Sequence, residues 1–432
     1  MNSEAQGVGR IDDFTVFVDG ALPNEVVQVK INSVKKNYAA ADLLDIINKS
    51  KDRVEPRCPI YKDCGGCQLQ HLSYEAQLKW KRRQIVDAVT RIGKIDVPVS
   101  ETIGMADAWH YRNKMQFPVG KVKGEVKIGC FAKSSHQIID TNSCLIQRPA
   151  NDLILAAARK VINKFNISVY NEDRHRGTIR HIMGRAGADE TMLVLVTSKE
   201  NLPNEKSIVL ALRSELPNIT SIQQNIQTYH NNVVLGRDSK ILYGKRSIKD
   251  RIGDLEFNIS ARSFFQVNTK QAEKLYQTAL DFADLKGHET VIDAFCGTGT
   301  ITLFLAKRAR RVIGIEIVSP SIADAKLNAR INNIRNAEFI VGDATAVMPK
   351  LRVRPDVIVL DPPRAGCDQK LLAAVAHMRP AKVVYVSCNP ATLARDLNIM
   401  ETTGYKTKII QPVDMFPFTS HVESVALLTL RK

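Results

Sequence analysis

Nothing in the chain is built to enter or cross a membrane. The first ten residues, MNSEAQGVGR, lack the apolar core of a secretory leader. No uninterrupted apolar run approaches the about 18 residues that a membrane-spanning helix needs, and no lipid-attachment motif is present. Tandem repeats and low-complexity tracts are also missing. Acid is scarce: 45 Asp and Glu stand against 61 Lys and Arg, a formal net charge of +16 over 432 residues. That excess favours a polyanionic partner, and without a membrane device nucleic acid is preferred to a lipid surface. Hydrophobic and charged fractions of 44% and 25% exclude wholesale disorder. At roughly 150 residues per domain the length implies two or three domains. A cytoplasmic location is expected, and there the eight cysteines (58, 64, 67, 130, 144, 296, 367 and 388) imply metal binding or catalysis rather than disulfides.

Three regions are expected. Residues 1–50 carry short apolar runs, FTVFVDG, EVVQVKINSVKKN and YAAADLLDII, split by turn residues, and a five-stranded OB-like barrel fits that length. Residues 51–265 begin with a Cys-, Gly- and Pro-rich loop. A helix follows, with Ser73 as its cap and Leu78, Ile85, Val89 and Ile92 at helical spacing. The rest of this span is a mixed α/β region with strands near Lys114–Val119, Val126–Cys130, Thr191–Thr197 and Ser221–Gln227 and a helix near Asp152–Phe165. Two basic sets, Lys79, Lys81, Arg82, Arg83 and Arg174, His175, Arg176, Arg180, His181, Arg185, are either solvated faces or phosphate contacts. In residues 266–432 five apolar runs, at 290–295, 311–317, 337–343, 356–361 and 382–387, alternate with helical patterns such as 300–308 and 319–333. Repeated βαβ implies a Rossmann-like, doubly wound parallel sheet, here ending in an antiparallel hairpin, with ligands at the carboxyl ends of the strands.

The first of these strands runs into Asp293-Ala-Phe-Cys-Gly297-Thr-Gly299 and then a helix. An acid, Glu316, ends the next strand, suited to a ribose, and Asp343 ends the one after, near where an adenine would lie. Neither a full GxGxxG nor a GxxxxGK[ST] loop is present, so a nucleoside cofactor without pyrophosphate fits, S-adenosyl-L-methionine being the obvious one. Strands four and five end in Asp361-Pro-Pro-Arg364 and Ser387-Cys388-Asn389-Pro390. Cys388 therefore projects at the edge of the sheet, where a thiol can act as a nucleophile, whereas Cys296 and Cys367 read as small buried residues. Near the front, Cys58-x5-Cys64-Gly-Gly-Cys67 with the distant Cys144 offers four thiolates. Spacing alone does not separate zinc from iron–sulfur.

The segments DAFCGTGTITLFLA, LDPPRAG, YVSCNPATLARDL, MFPFTSHVESVALL, ARSFFQVN and CPIYKDCGGCQLQH resemble the RNA 5-methyluridine methyltransferases, and they spread over nearly the whole chain. The first fifty residues resemble the TRAM domain. The likeness implies a nucleophile at Cys388, a base at Glu423 and a uracil-binding acid at Asp361, with Gln266, Phe295, Gly297, Thr300, Glu316, Asp343 and Asp361 lining the cofactor pocket. It further implies a 4Fe-4S cluster on Cys58, Cys64, Cys67 and Cys144, with Cys130 as rival fourth ligand. The ribosomal branch is the nearest in pattern, so the expected partner is large-subunit ribosomal RNA and the expected state a monomer. The chemistry accounts for the residue types. Uracil C5 is a poor nucleophile until a thiolate adds to C6, and a base must then remove the C5 proton. Transfer RNA as substrate, an amino-group methyltransferase (which typically has DPPY or NPPY), and a non-catalytic RNA-binding iron–sulfur protein on the same fold are the competing readings.

Overall fold

The computed structural model describes residues 1–431. The amino-terminal region forms four strands, Gly7–Ile11, Phe14–Val18, Val26–Val34 and Tyr38–Asn48, with the second and fourth running parallel at the centre. That is one strand fewer than the expected five-stranded barrel, and the two outer strands are not paired with each other among the described residues. Its core is small: Val16, Val18, Ala21, Ala39 and Ala41.

The middle region is a seven-stranded sheet in the order 238–244, 221–226, 191–197, 179–186, 114–122, 125–131, 138–140. Helices Pro149–Lys164 and Glu205–Glu215 share an apolar core with it through Ile154, Val161, Ile208 and Leu212. The strand Ile179–Ala186 is buried at every position. Arg180 and Arg185 are therefore not a solvated face. Arg185 donates to the Ser263 carbonyl at 2.5 Å, and Arg180 donates to the carbonyls of Gln227 and Tyr229 at 2.9 Å each.

The carboxyl-terminal sheet has the expected plan, in the order 337–341, 311–316, 290–293, 357–360, 382–387, 423–430, 405–413. The first five strands run parallel, and Glu423–Leu430 then pairs antiparallel to Lys382–Ser387. Thr290–Asp293 and Val357–Leu360 are buried throughout, because helices cover both faces of a parallel sheet.

Parts of the preceding region pack onto this sheet. The helix Tyr74–Ala88 places Ile85 in the same core as Leu393 and Tyr405, and the hairpin Ser247–Ser260 joins the core on the other face. Ser73 makes no side-chain cap on that helix. Lys81, expected on a basic face, is fully buried and pairs with Asp414 at 2.5 Å, while Ile92, expected inside, is exposed. Tyr74 donates to the second Asp414 oxygen at 2.9 Å, and Gln77 accepts from the Phe418 amide at 3.0 Å. These bonds strap the segment that leads to Glu423.

Candidate active site

All five parallel strands deliver chemistry to one edge. Asp293 and Glu316 end their strands, and Asp343, Asp361 and Cys388 follow theirs. Glu423 begins an antiparallel strand and so reaches the same edge: its neighbour Ser424 pairs with Ser387, the residue before Cys388.

On the cofactor side, Gly297 has a left-handed φ of +52° with no atom within 4 Å of where a Cβ would stand, so the backbone is open to a ligand. The Gly297 amide donates to Glu316 at 3.2 Å and the Val318 amide donates to it at 2.8 Å, which fixes the carboxylate across the loop. Asp343 caps the next helix by accepting from the Thr345 amide at 2.8 Å, and it stays exposed. Phe295 is half-buried. The Tyr276 hydroxyl donates to Thr300 at 3.1 Å and is also engaged by Gln266.

Asp293 was not among the expected site residues. It is buried, accepts from the Thr302 hydroxyl at 2.6 Å, and is pushed up to about 6 by burial, against that bond. An acid ending a buried strand, as Glu316 does, is the signal that marks it.

Across the edge from the cofactor loop, buried acids stand close to Cys388. Burial pushes Glu423 up to about 7, and Arg364 opposes the shift. Asp361 lies well above the usual carboxylate range through burial, then through the charges of Glu423 and Asp293. The Cys388 thiol is pushed up to about 11 by burial and then by Glu423 and Asp361, with Arg364 again opposing. Arg364 is thus the cation of the site, and His421 lies 3.3 Å from its guanidinium.

Asn389 has a positioning role. Its side chain accepts from the Ala391 amide at 3.0 Å, starting the helix Pro390–Thr402, and donates to the Arg364 carbonyl at 3.1 Å. Cys296 and Cys367 are buried, and burial pushes the Cys367 thiol up to about 12.

A cavity of about 1040 Å³ opens beside this edge, with Gln266, Arg364 and His421 in its wall. Cys58, Cys64, Cys67, Cys130 and Cys144 line the same cavity. Cys64 and Cys130 act on each other in opposite directions, the Cys64 thiol being drawn down and the Cys130 thiol pushed up. Among the described residues, no three Cys, His, Asp or Glu side chains are grouped closely enough to form a ready metal site.

A parallel sheet carrying a glycine loop, a strand-end acid beside it and a thiol across the edge agrees with the methyltransferase expected from the sequence. The tRNA (uracil-5-)-methyltransferase family model matches residues 73–431 and the TRAM domain model matches residues 1–44. The chain belongs to the tRNA (uracil-5-)-methyltransferase family. It is 51% identical over 434 residues to an uncharacterized RNA methyltransferase of Clostridium tetani, covering 99% of this chain and 94% of that protein. One of Halalkalibacterium halodurans is 49% identical, covering 100% and 95%. Among solved structures, the Pyrococcus abyssi tRNA (uracil-54, C5)-methyltransferase, in complex with S-adenosyl-L-homocysteine, superposes with a TM-score of 0.78 at 28% identity, covering 98% of this chain and 100% of that one. Among the described residues no helix is long and apolar enough to cross a membrane.

Proposed function

We propose that the protein transfers a methyl group from S-adenosyl-L-methionine to C5 of a uridine in RNA. The observation that carries the reading is the meeting of Cys388, Asp361 and Glu423 at one sheet edge with Arg364 acting on both the thiol and the glutamate. The residues fit the cofactor. Asp293 and Glu423 stand in a buried edge, and as they ionise their field favours a bound cation such as a sulfonium. When bound, S-adenosyl-L-methionine supplies an electrophilic methyl group. Glu316 would take the ribose hydroxyls, Phe295 and Asp343 the adenine, and Gln266, Gly297 and Thr300 the remaining wall.

The chain's own residues then act on the uracil. Cys388, having lost its proton to water, forms a bond to C6, and the C5–C6 electron pair becomes available at C5 for the methyl. Asp361, whose carboxyl holds its proton more tightly than an ordinary one, hydrogen-bonds the uracil edge as charge develops there. Glu423 takes the C5 proton, the C5–C6 double bond reforms, and the sulfur leaves as thiolate. The target base must be unstacked to reach the edge, at a cost of a few kcal/mol.

The RNA we propose is large-subunit ribosomal RNA, on the strength of the CPIYKDCGGCQLQH segment. Transfer RNA is the second reading, supported by the Pyrococcus abyssi neighbour. Methylating both transcripts with the purified protein and mapping 5-methyluridine by mass spectrometry decides between them; ribosomal product alone supports the first.

The thiols support a further part of the reading. Five soft donors line one cavity, a set suited to iron–sulfur or zinc, although the side chains are not drawn together. We infer that Cys58, Cys64, Cys67 and Cys144 hold a 4Fe-4S cluster, which would tie two loops beside the catalytic edge. Anaerobically purified protein should be brown and Cys64→Ala colourless; a colourless protein containing zinc overturns the assignment.

A further inference from the structure

A second cavity, of about 440 Å³, lies in the middle region and is lined by Tyr170, His175, Arg176, Gly177, Ser198, Lys199, Thr228 and His230. Two cations and two histidines face it and no carboxylate does. Among the described residues Arg176 and Lys199 form no ion pair, and neither do Arg174 and Arg180 nearby. The acids of the adjoining turns, Glu172, Asp173 and Glu200, are outside the lining, and Glu172 is held by His136 at 3.0 Å.

The walls are constructed rather than incidental. The Tyr170 ring is buried, and the Arg180 guanidinium lies 4.5 Å above its centre. The Tyr170 hydroxyl meets His175 Nδ1 at 3.0 Å, leaving Nε2 free, and the His175 ring stacks on His230 at 3.7 Å and 6°. Gly177 has φ +118°, and a Cβ there would stand 2.1 Å from the Val169 carbonyl, so only glycine lets the turn close against that segment. Ser198 pins the turn by donating to the Gly177 carbonyl at 2.6 Å.

The position ties this cavity to the catalytic one. Arg180 and His181 are consecutive on one strand: Arg180 braces the small cavity, and His181 is in the wall of the large one. Tyr229, beside His230, is exposed and can stack a base.

We propose that this cavity docks a phosphodiester of the RNA substrate away from the target uridine, with Arg176 and Lys199 as the charges and His175 as donor. The inference rests on the RNA-methyltransferase reading and extends it to where the strand is held. Each phosphate contact of this kind contributes affinity with little sequence preference and about 0.7 to the logarithmic salt slope on single-stranded RNA.

The test is Arg176→Glu with Lys199→Glu in the full-length protein, read by RNA binding across a salt series. The expected result is a loss of affinity of about tenfold or more and a salt slope shallower by roughly one, with kcat at saturating RNA and S-adenosyl-L-homocysteine binding unchanged. Lys199→Ala, at an exposed side chain, gives the same direction with less amplitude and guards against misfolding. Lys307→Glu with Lys406→Glu, the same charge change at the opposite sheet edge, should leave the slope alone. RNA affinity and slope equal to wild type in the first variant, or an equal loss in the Lys307/Lys406 control, overturns the docking site. Because kcat and S-adenosyl-L-homocysteine binding are read separately from RNA affinity, failure of the methylation reading is distinguishable from failure of this one.

Discussion

Glu423→Gln should stabilise the protein while removing its ability to finish the reaction. In the fold the carboxyl is buried and its pKa stands at about 7, against an ordinary value of 4.5. A raised acid binds its proton more tightly in the folded than in the unfolded chain, so stability falls as pH rises between these two values. Below 4.5 both states are protonated and the penalty vanishes; above 7 it is complete. The difference between these two values corresponds to about 3 kcal/mol. Glutamine keeps the shape and carries no charge. Thermal unfolding of the two proteins should therefore coincide near pH 4, separate as pH rises to about 7 and keep a constant gap above it, with the variant the more stable. On 5-methyluridine formation the same variant should be inactive yet accumulate a denaturation-resistant adduct with unmodified RNA, since the C5 proton has no acceptor. A stability gap that does not change with pH, or a variant that turns over, refutes the reasoning.

Other consequences follow from the same geometry. The rate at which the covalent adduct resolves to product should rise about tenfold per pH unit below about 7 and level off above it, as Glu423 ionises. Arg364→Met removes the charge that opposes the shifts at both Glu423 and Cys388, so that midpoint should move up by about one unit and adduct formation should slow, both read from pH–rate profiles. Lys81→Met leaves Asp414 buried without its partner and should cost about 3–5 kcal/mol in denaturant unfolding, with Lys81→Met/Asp414→Leu recovering part of it.

The carboxyl-terminal sheet was legible because its central strands are buried on both faces and read as unbroken apolar runs, and Glu316, Asp343, Asp361 and Cys388 could be placed from the runs alone. The hairpin Ser247–Ser260 carries an equally plain signal, with Gly253-Asp254 at the turn between alternating apolar residues, but it lies in a stretch where only isolated pieces were expected. Charge was the poorest guide. Lys81 looks like part of a solvated basic face, yet its partner lies 333 residues away, and no local pattern can reveal that. Arg180 and Arg185 are buried because carbonyls at distant positions receive them, while their neighbours Arg174 and Arg176 stay exposed. The strand Gly7–Ile11 is short, mostly exposed and at an edge, so it lacks the alternation that marks a half-buried strand.

The claim on which the mechanism stands is a bond between Cys388 and C6 of a uracil. The direct measurement is mass spectrometry of the denatured product of enzyme, S-adenosyl-L-methionine and RNA bearing 5-fluorouridine, in which fluorine cannot leave as a proton. The account predicts one species containing protein, RNA and a transferred methyl, cross-linked at the peptide carrying Cys388, and none with Cys388→Ala. Absence of the adduct in the wild type, or its location on Cys296, Cys367 or another residue, would contradict it.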